Sequence, residues 1–154
     1  MRTIVVGYDG SAPAERALAR AVELAQAFRS RIVIADVAMP RQLQAMPGGF
    51  GLQPYYFSGA EVGVEADEAL WARHREQIEA FLAKTGVPHE FAGVVGAPAA
   101  EIVEIATERS ADLIVVGTRD PGFLERLLGG SVSQGVARQA GCDVLIVHPG
   151  EDEA

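Results

Sequence analysis

A chain of 154 residues, about half of them apolar, is long enough to bury the core of one domain of two or three layers. Its net charge of −8 disfavours a nucleic-acid or anionic-membrane surface, because both are polyanions. With one cysteine (Cys142), no apolar run near the ~18–20 residues of a membrane span and no secretory signal before the strand-like residues 4–6, a reducing cytoplasm is the expected setting.

In chain order, residues 3–7 (TIVVG) read as a first buried strand, after which Tyr8-Asp9-Gly10-Ser11 turns the chain. Ser11 is a good N-cap, and Pro13 falls in the first helical turn, where its missing N–H costs nothing. Ala17, Ala21, Leu24 and Phe28 then recur at helical spacing through to Arg29. Residues 31–37 (RIVIADV) form a second strand, and strand–helix–strand within this length implies parallel pairing with a right-handed crossover.

Residues 38–59 carry three prolines and four glycines with no sustained period, so they read as a long loop. Its Tyr55, Tyr56 and Phe57 could cover a planar base, or pack on the next helix or on a partner subunit. Ser58 and Glu61 form a capping box opening a helix that continues to Lys84, with Leu70, Trp71, His74, Ile78, Phe81 and Leu82 as its inner stripe and Gly86 at its C-terminal stop. Residues 89–95 are a less apolar strand, suited to a sheet edge. Gly96-Ala97-Pro98 opens a third helix with Ala99, Ile102, Val103 and Ala106 inward.

Residues 112–116 (DLIVV) are a further buried strand ending at Gly117. Beyond it, Ser131 follows Gly129-Gly130 and precedes Gln134 by three, a second capping-box spacing, for a helix running to Ala140 with Gly141 as its stop. The last strand is 143–147 (DVLIV). Five strands and four helices in this order predict an α/β fold, an open doubly wound five-stranded parallel sheet of order 3-2-1-4-5 with helices on both faces. Ligands in such sheets bind at the carboxyl ends of the strands beside the topological switch, here Gly7-Tyr8-Asp9 and Gly117-Thr118-Arg119.

A helix N-terminus offers unpaired N–H groups and partial positive charge, and preceding glycines let a ligand approach the backbone. Ser131 with Gly129-Gly130 therefore reads either as an anion site, most often for phosphate, or as a plain cap after a plain turn. No Gly-x4-Gly-Lys-Ser/Thr loop, Gly-x-Gly-x-x-Gly fingerprint or Gly-x-Ser-x-Gly elbow is present. His74, His89 and His148 lie on separate elements without metal-ligand spacing, and no nucleophile stands beside a base. The residues favour binding over turnover.

The run Gly117-x2-Asp120-x9-Gly130-Ser131, taken with VVGYDGS at 5–11 and DVLIVHP at 143–149, resembles the universal stress protein family, whose loop pattern is Gly-x2-Gly-x9-Gly-Ser/Thr. The resemblance covers nearly the whole chain and implies a single domain over 1–149 with an acidic tail at 150–154. It implies an adenine nucleotide as ligand: ATP, AMP or cyclic AMP. Gly7, Tyr8 and Asp9 would line the nucleoside side, with Asp9 accepting from a ribose hydroxyl or the adenine amine, unless its carboxylate only forms an Asx turn. Val37 would read the adenine edge through its backbone. Gly117, Thr118, Arg119, Asp120, Gly122, Gly130, Ser131, Val132 and Ser133 would line the phosphate side, mostly through N–H groups. Family members commonly pair as homodimers through the last strand, here Asp143 to Val147.

One departure matters, Asp120-Pro121 in place of the second loop glycine. A carboxylate ~6 Å from a phosphate at an effective dielectric of ~20 costs roughly 2–3 kcal/mol per unit charge, roughly a thirty- to hundredfold loss. Asp120 could hold Mg²⁺ against the phosphates, pair with Arg119 and point away, or mark a site without ATP. AMP or cyclic AMP would suffer less repulsion, and Gly122 could restore backbone freedom. Beside nucleotide-dependent stress signalling stand two alternatives, a slow Mg-dependent ATP hydrolase and a nucleotide-free dimeric interaction module.

Overall fold

The computed structural model describes residues 1–39, 65–118 and 131–150. Nine elements follow in order: β1 (Thr3–Tyr8), α1 (Ala12–Phe28), β2 (Arg31–Ala38), α2 (Glu65–Leu82), β3 (His89–Val95), α3 (Pro98–Glu108), β4 (Leu113–Gly117), α4 (Val132–Gln139) and β5 (Asp143–Val147). The expected sheet forms, all parallel, in the order β3-β2-β1-β4-β5. β3 lies at one edge, as its weaker apolarity predicted.

The central strands are continuous apolar runs because both their faces are covered. Alternate residues of β1 divide between two cores. Ile4, Val6 and Tyr8 join Ala17, Leu18 and Ala21 of α1 and Ile78 and Leu82 of α2 on one face. Val5 joins Val33, Ala35, Ile114 and Val116, together with Ile102 and Ile105 of α3 and Val136 of α4, on the other. Helices therefore cover both faces.

Several expected inward residues lie outside. Phe28 is 54 % exposed, because α1 ends there and Arg29 turns the chain away in a left-handed conformation (φ 53°). Leu70 and Phe81 are also exposed. The buried line of α2 is His74, Ile78 and Leu82 at four-residue steps; Leu70, one such step before His74, lies exposed, and Phe81 lies about 100° round the helix from Leu82. α2 stops at Leu82 rather than Lys84, so Gly86 (φ 69°) belongs to the following turn, where Thr85 N–H and Oγ1–H both donate to the Leu82 carbonyl. α4 ends on Ala140 in an extended conformation, without a left-handed Gly141. The expected capping box at Ser58–Glu61, the aromatic residues Tyr55 to Phe57 and the acidic tail from Glu151 lie outside the described residues.

Asp112 precedes β4 instead of opening it, and its carboxylate has another use. Oδ2 accepts the backbone N–H of Arg2 at 2.6 Å and of Thr3 at 3.0 Å, tying the start of β1 to the start of β4. Those N–H groups hold the Asp112 carboxyl below its ordinary value of 3.8. A carboxylate with a depressed folded pKa contributes stability above its unfolded pKa and loses it as pH falls through the folded one, here below about pH 4. Asp112→Asn is therefore expected to unfold at lower urea than wild type at pH 6, with the gap closing at pH 3. A gap of equal size at both pH values would remove Asp112 from acid unfolding.

Candidate functional site

β1 and β4 are neighbours in the sheet, with Ile4 opposite Leu113 and Val6 opposite Val115, although β2 follows β1 in sequence. Their carboxyl ends flank the switch point, where chains leave toward opposite faces. β1 ends on Gly7-Tyr8 and β4 on Gly117. Beyond β4 the ladder continues for one bond, from Thr118 N–H to the Val147 carbonyl at 3.0 Å.

The turn after β1 is tightly specified. Gly10 takes a left-handed conformation (φ 77°), which favours glycine. Asp9 is exposed, and its Oδ1 accepts the Ser11 N–H at 2.9 Å. That is an Asx turn. Ser11 then caps α1, its Oγ accepting the Ala14 N–H at 3.4 Å. The carboxylate of Asp9 is thus presented to solvent at the strand end, held through one of its two oxygens.

The first turn of α1 presses directly on β4. A Cβ built on Gly117 would stand 2.1 Å from the Pro13 carbonyl oxygen and 2.5 Å from its carbon. The glycine ending β4 is required here by backbone packing. Arg16, one turn further along α1, donates from Nη2 to the Thr118 carbonyl at 3.3 Å. A guanidinium therefore stands at the carboxyl end of β4, a feature the sequence reading passed over.

α4 begins as expected. Ser131 has extended backbone angles, and its Oγ accepts the Gln134 N–H at 3.3 Å. Its hydroxyl also meets that of the buried Ser133 at 3.0 Å. Because β4 and β5 are parallel, α4 runs back against the strand direction, so its N-terminus lies at the carboxyl end of the sheet, the end that carries Asp9. Val132 is half-buried, packed on the α3/α4 core.

The remaining expected residues divide by face. Gly7 is half-buried against Ile102 and Val116. Val37 is half-buried and packs on the α3/α4 core, paired in register with Val94. The Tyr8 ring is buried in the α1/α2 core, and burial together with the nearby Glu15 carboxylate pushes its hydroxyl pKa up. Arg119, Asp120, Gly122 and Gly130, with the metal role suggested for Asp120, lie outside the described residues. Among the described residues no cluster of three or more histidine, cysteine, aspartate or glutamate side chains could hold a metal.

Next to Val37, on the other face of β2, lies a pair that sequence reasoning missed. Asp36 and His74 are 2 % and 5 % exposed, and Oδ2 meets Nδ1 at 2.5 Å. Burial pushes the Asp36 carboxyl pKa up, while the hydrogen bond to His74 pulls it back. An aspartate inside the apolar run RIVIADVA was the available signal, since a buried carboxylate demands a partner. His74 had been placed on the inner stripe of its helix, but not beside an acid. The pair has the look of a catalytic base with its orienting acid. Yet its Nε2 faces Gly10, where no hydroxyl or thiol can act as nucleophile.

The chain's relatives agree with this architecture. The profile described as "Universal stress protein family" matches residues 1–148. A universal stress protein of Thermus aquaticus is 38 % identical over 148 residues, covering 96 % of this chain and 98 % of the relative. One from Mycobacterium tuberculosis is 32 % identical over 156 residues, covering 96 % of each. Among solved structures, a universal stress protein in complex with cAMP superposes with a TM-score of 0.66 at 34 % identity, covering 97 % of this chain and 98 % of that one. An Arabidopsis thaliana family member with AMP bound shares the fold, with a TM-score of 0.67 at 17 % identity over 99 % of this chain and 95 % of that one. With the motifs in order, the sheet order met and the profile spanning nearly every residue, the chain belongs to the universal stress protein family.

Proposed function

We propose that this protein binds an adenine nucleotide at the carboxyl ends of β1 and β4 and acts in the cytoplasm by ligand-dependent regulation in stress response or signalling. The observation that carries the reading is the convergence at one end of the sheet of an exposed, turn-held Asp9 and the capped N-terminus of α4. The 34 %-identical relative in complex with cAMP supports the same ligand class. In this reading Asp9 accepts a hydrogen bond from the ribose or the adenine amine, and the Val37 backbone meets the adenine edge. The N–H groups of Ser131, Val132 and Ser133 are offered to the phosphate, with Gly117, Arg119 and Gly130 assigned to the same side by the family pattern, whereas the Thr118 N–H is already given to the Val147 carbonyl.

In this reading a cyclic or monophosphate nucleotide is favoured over ATP, because the sequence carries the acidic Asp120 where the family pattern has its second loop glycine. Purified protein, gently denatured and analysed by mass spectrometry, is expected to release AMP or cyclic AMP. Protein that releases no nucleotide, and binds none in titration, would favour an interaction module instead. Asp120→Gly is expected to tighten ATP binding by roughly thirty- to hundredfold at low salt, and less as salt screens the charge. Weaker binding by the variant in excess Mg²⁺ would make Asp120 a metal ligand.

The same reading includes a homodimer built on β5. This strand is the far edge of the sheet, and Val144, Leu145, Ile146 and Val147 are all half-buried, without proline or lysine to protect the edge. Two copies paired about a twofold axis would bury it. Ile146→Pro removes an edge N–H and adds a steric block. Sedimentation of the variant is expected to show monomer or aggregate, and a wild-type-like dimer would move the contact elsewhere.

A further inference from the structure

The underside of the Asp9 turn rests on a histidine. A Cβ added to Gly10 would stand 2.5 Å from His74 Nε2, so the imidazole edge lies directly against the Gly10 backbone. The ring cannot easily shift. Its Nδ1 is held by Asp36 Oδ2 at 2.5 Å, and it meets the Tyr8 ring edge-on, with centroids 5.4 Å apart and planes at 84°. Tyr8 and Asp36 are register neighbours on β1 and β2. β1, β2, α2 and the turn therefore converge on one imidazole, and the turn it supports ends in the Asp9 carboxylate and the cap of α1.

Stability alone does not call for this arrangement. Burying a carboxylate and an imidazole costs more than burying leucine, and apolar residues of similar volume often serve as well or better. What the polar pair supplies is direction. Its short hydrogen bond fixes the ring plane, where an aliphatic side chain would only fill space.

We propose that His74, oriented by Asp36, is a positioning residue that holds the Tyr8–Ser11 turn so that the Asp9 carboxylate meets the ribose hydroxyls of the bound nucleotide. The proposal rests on the nucleotide reading above. It assigns the discrimination of ribose from hydroxyl-free sugar to a side chain that never touches ligand.

Two substitutions disturb the support in different ways. His74→Asn places an amide N–H where Nδ1 stood, keeping a donor for Asp36 while removing the ring from Gly10 and Tyr8. His74→Phe keeps a ring and removes the bond to Asp36. Affinities for AMP and for 2′,3′-dideoxy-AMP are measured for wild type and both variants, with amide hydrogen exchange at Ser11 followed in the nucleotide-free proteins. The expected result is an AMP affinity lowered about tenfold in each variant (about 1.4 kcal/mol), an unchanged affinity for the dideoxy nucleotide, and faster exchange at Ser11. A purely structural role would lower both affinities together, and that outcome overturns the proposal, as does an unchanged ratio with unchanged Ser11 exchange. Wild type that binds neither nucleotide would sink the nucleotide reading separately. Ser11 exchange then decides whether His74 holds the turn, faster exchange in the variants supporting it and wild-type exchange overturning it. If His74→Asn does not fold, His74→Phe carries the same comparison.

Discussion

Gly117→Ala is expected to be among the most damaging single changes in this protein, costing about 3 kcal/mol of stability. The new methyl would meet the Pro13 carbonyl oxygen at 2.1 Å, and that neighbour is backbone in the first turn of a helix, unable to rotate aside. Relief requires α1 to move off β4, and α1 carries Ala17, Leu18 and Ala21 into the core. A melting temperature lower by about 6–12 °C is the corresponding reading. Nucleotide binding should weaken too, since the same shift moves Ser11 and the Asp9 turn. A variant melting within about 2 °C of wild type would show that α1 accommodates the methyl, and that Gly117 answers to the ligand rather than to packing.

Asp36→Ala should cost more, about 3–5 kcal/mol, because it leaves the buried His74 without its acceptor. The informative comparison is with Asp36→Ala/His74→Leu. Removing both polar groups removes the orphan, so the double variant should regain much of the lost stability. Urea unfolding at neutral pH measures both, and the non-additive part reports the coupling between the two side chains. A loss below about 1 kcal/mol in the single variant would mean that the pair contributes little. The result expected here separates two roles that usually go together, with the double variant stable yet lacking the imidazole beneath Gly10.

The sequence made the sheet legible for a physical reason. Strands covered on both faces need unbroken apolar runs, and TIVVG, RIVIADV, DLIVV and DVLIV provide them at spacings that only helical crossovers fit. The caps at Ser11 and Ser131 were equally legible, because the donors they satisfy lie three residues away. Periodicity failed where exposure depends on neighbours outside the helix. Phe28, Leu70 and Phe81 have apolar side chains on helices, yet all three are exposed and belong to neither of the two cores formed by the described residues. Asp36 and His74 were hidden by distance, since 38 positions separate two residues that share one hydrogen bond. Gly117 was expected for its ligand, whereas Pro13 already requires it. Residue type was read correctly there, and the partner could not be known before the fold.

The register of β1 with β4 carries a consequence for how the protein is made. Val6 sits beside Val115, so the seam under the candidate site joins chain segments more than a hundred positions apart. Such a pairing must close a very long loop and forms slowly compared with local contacts. On the ribosome, the β1 turn emerges long before its partner strand exists. The crevice therefore completes only after β4, and the helix that follows it, have left the exit tunnel. A nucleotide that binds there recognises the finished chain and not its intermediates, so its concentration adds to the stability of folded copies alone.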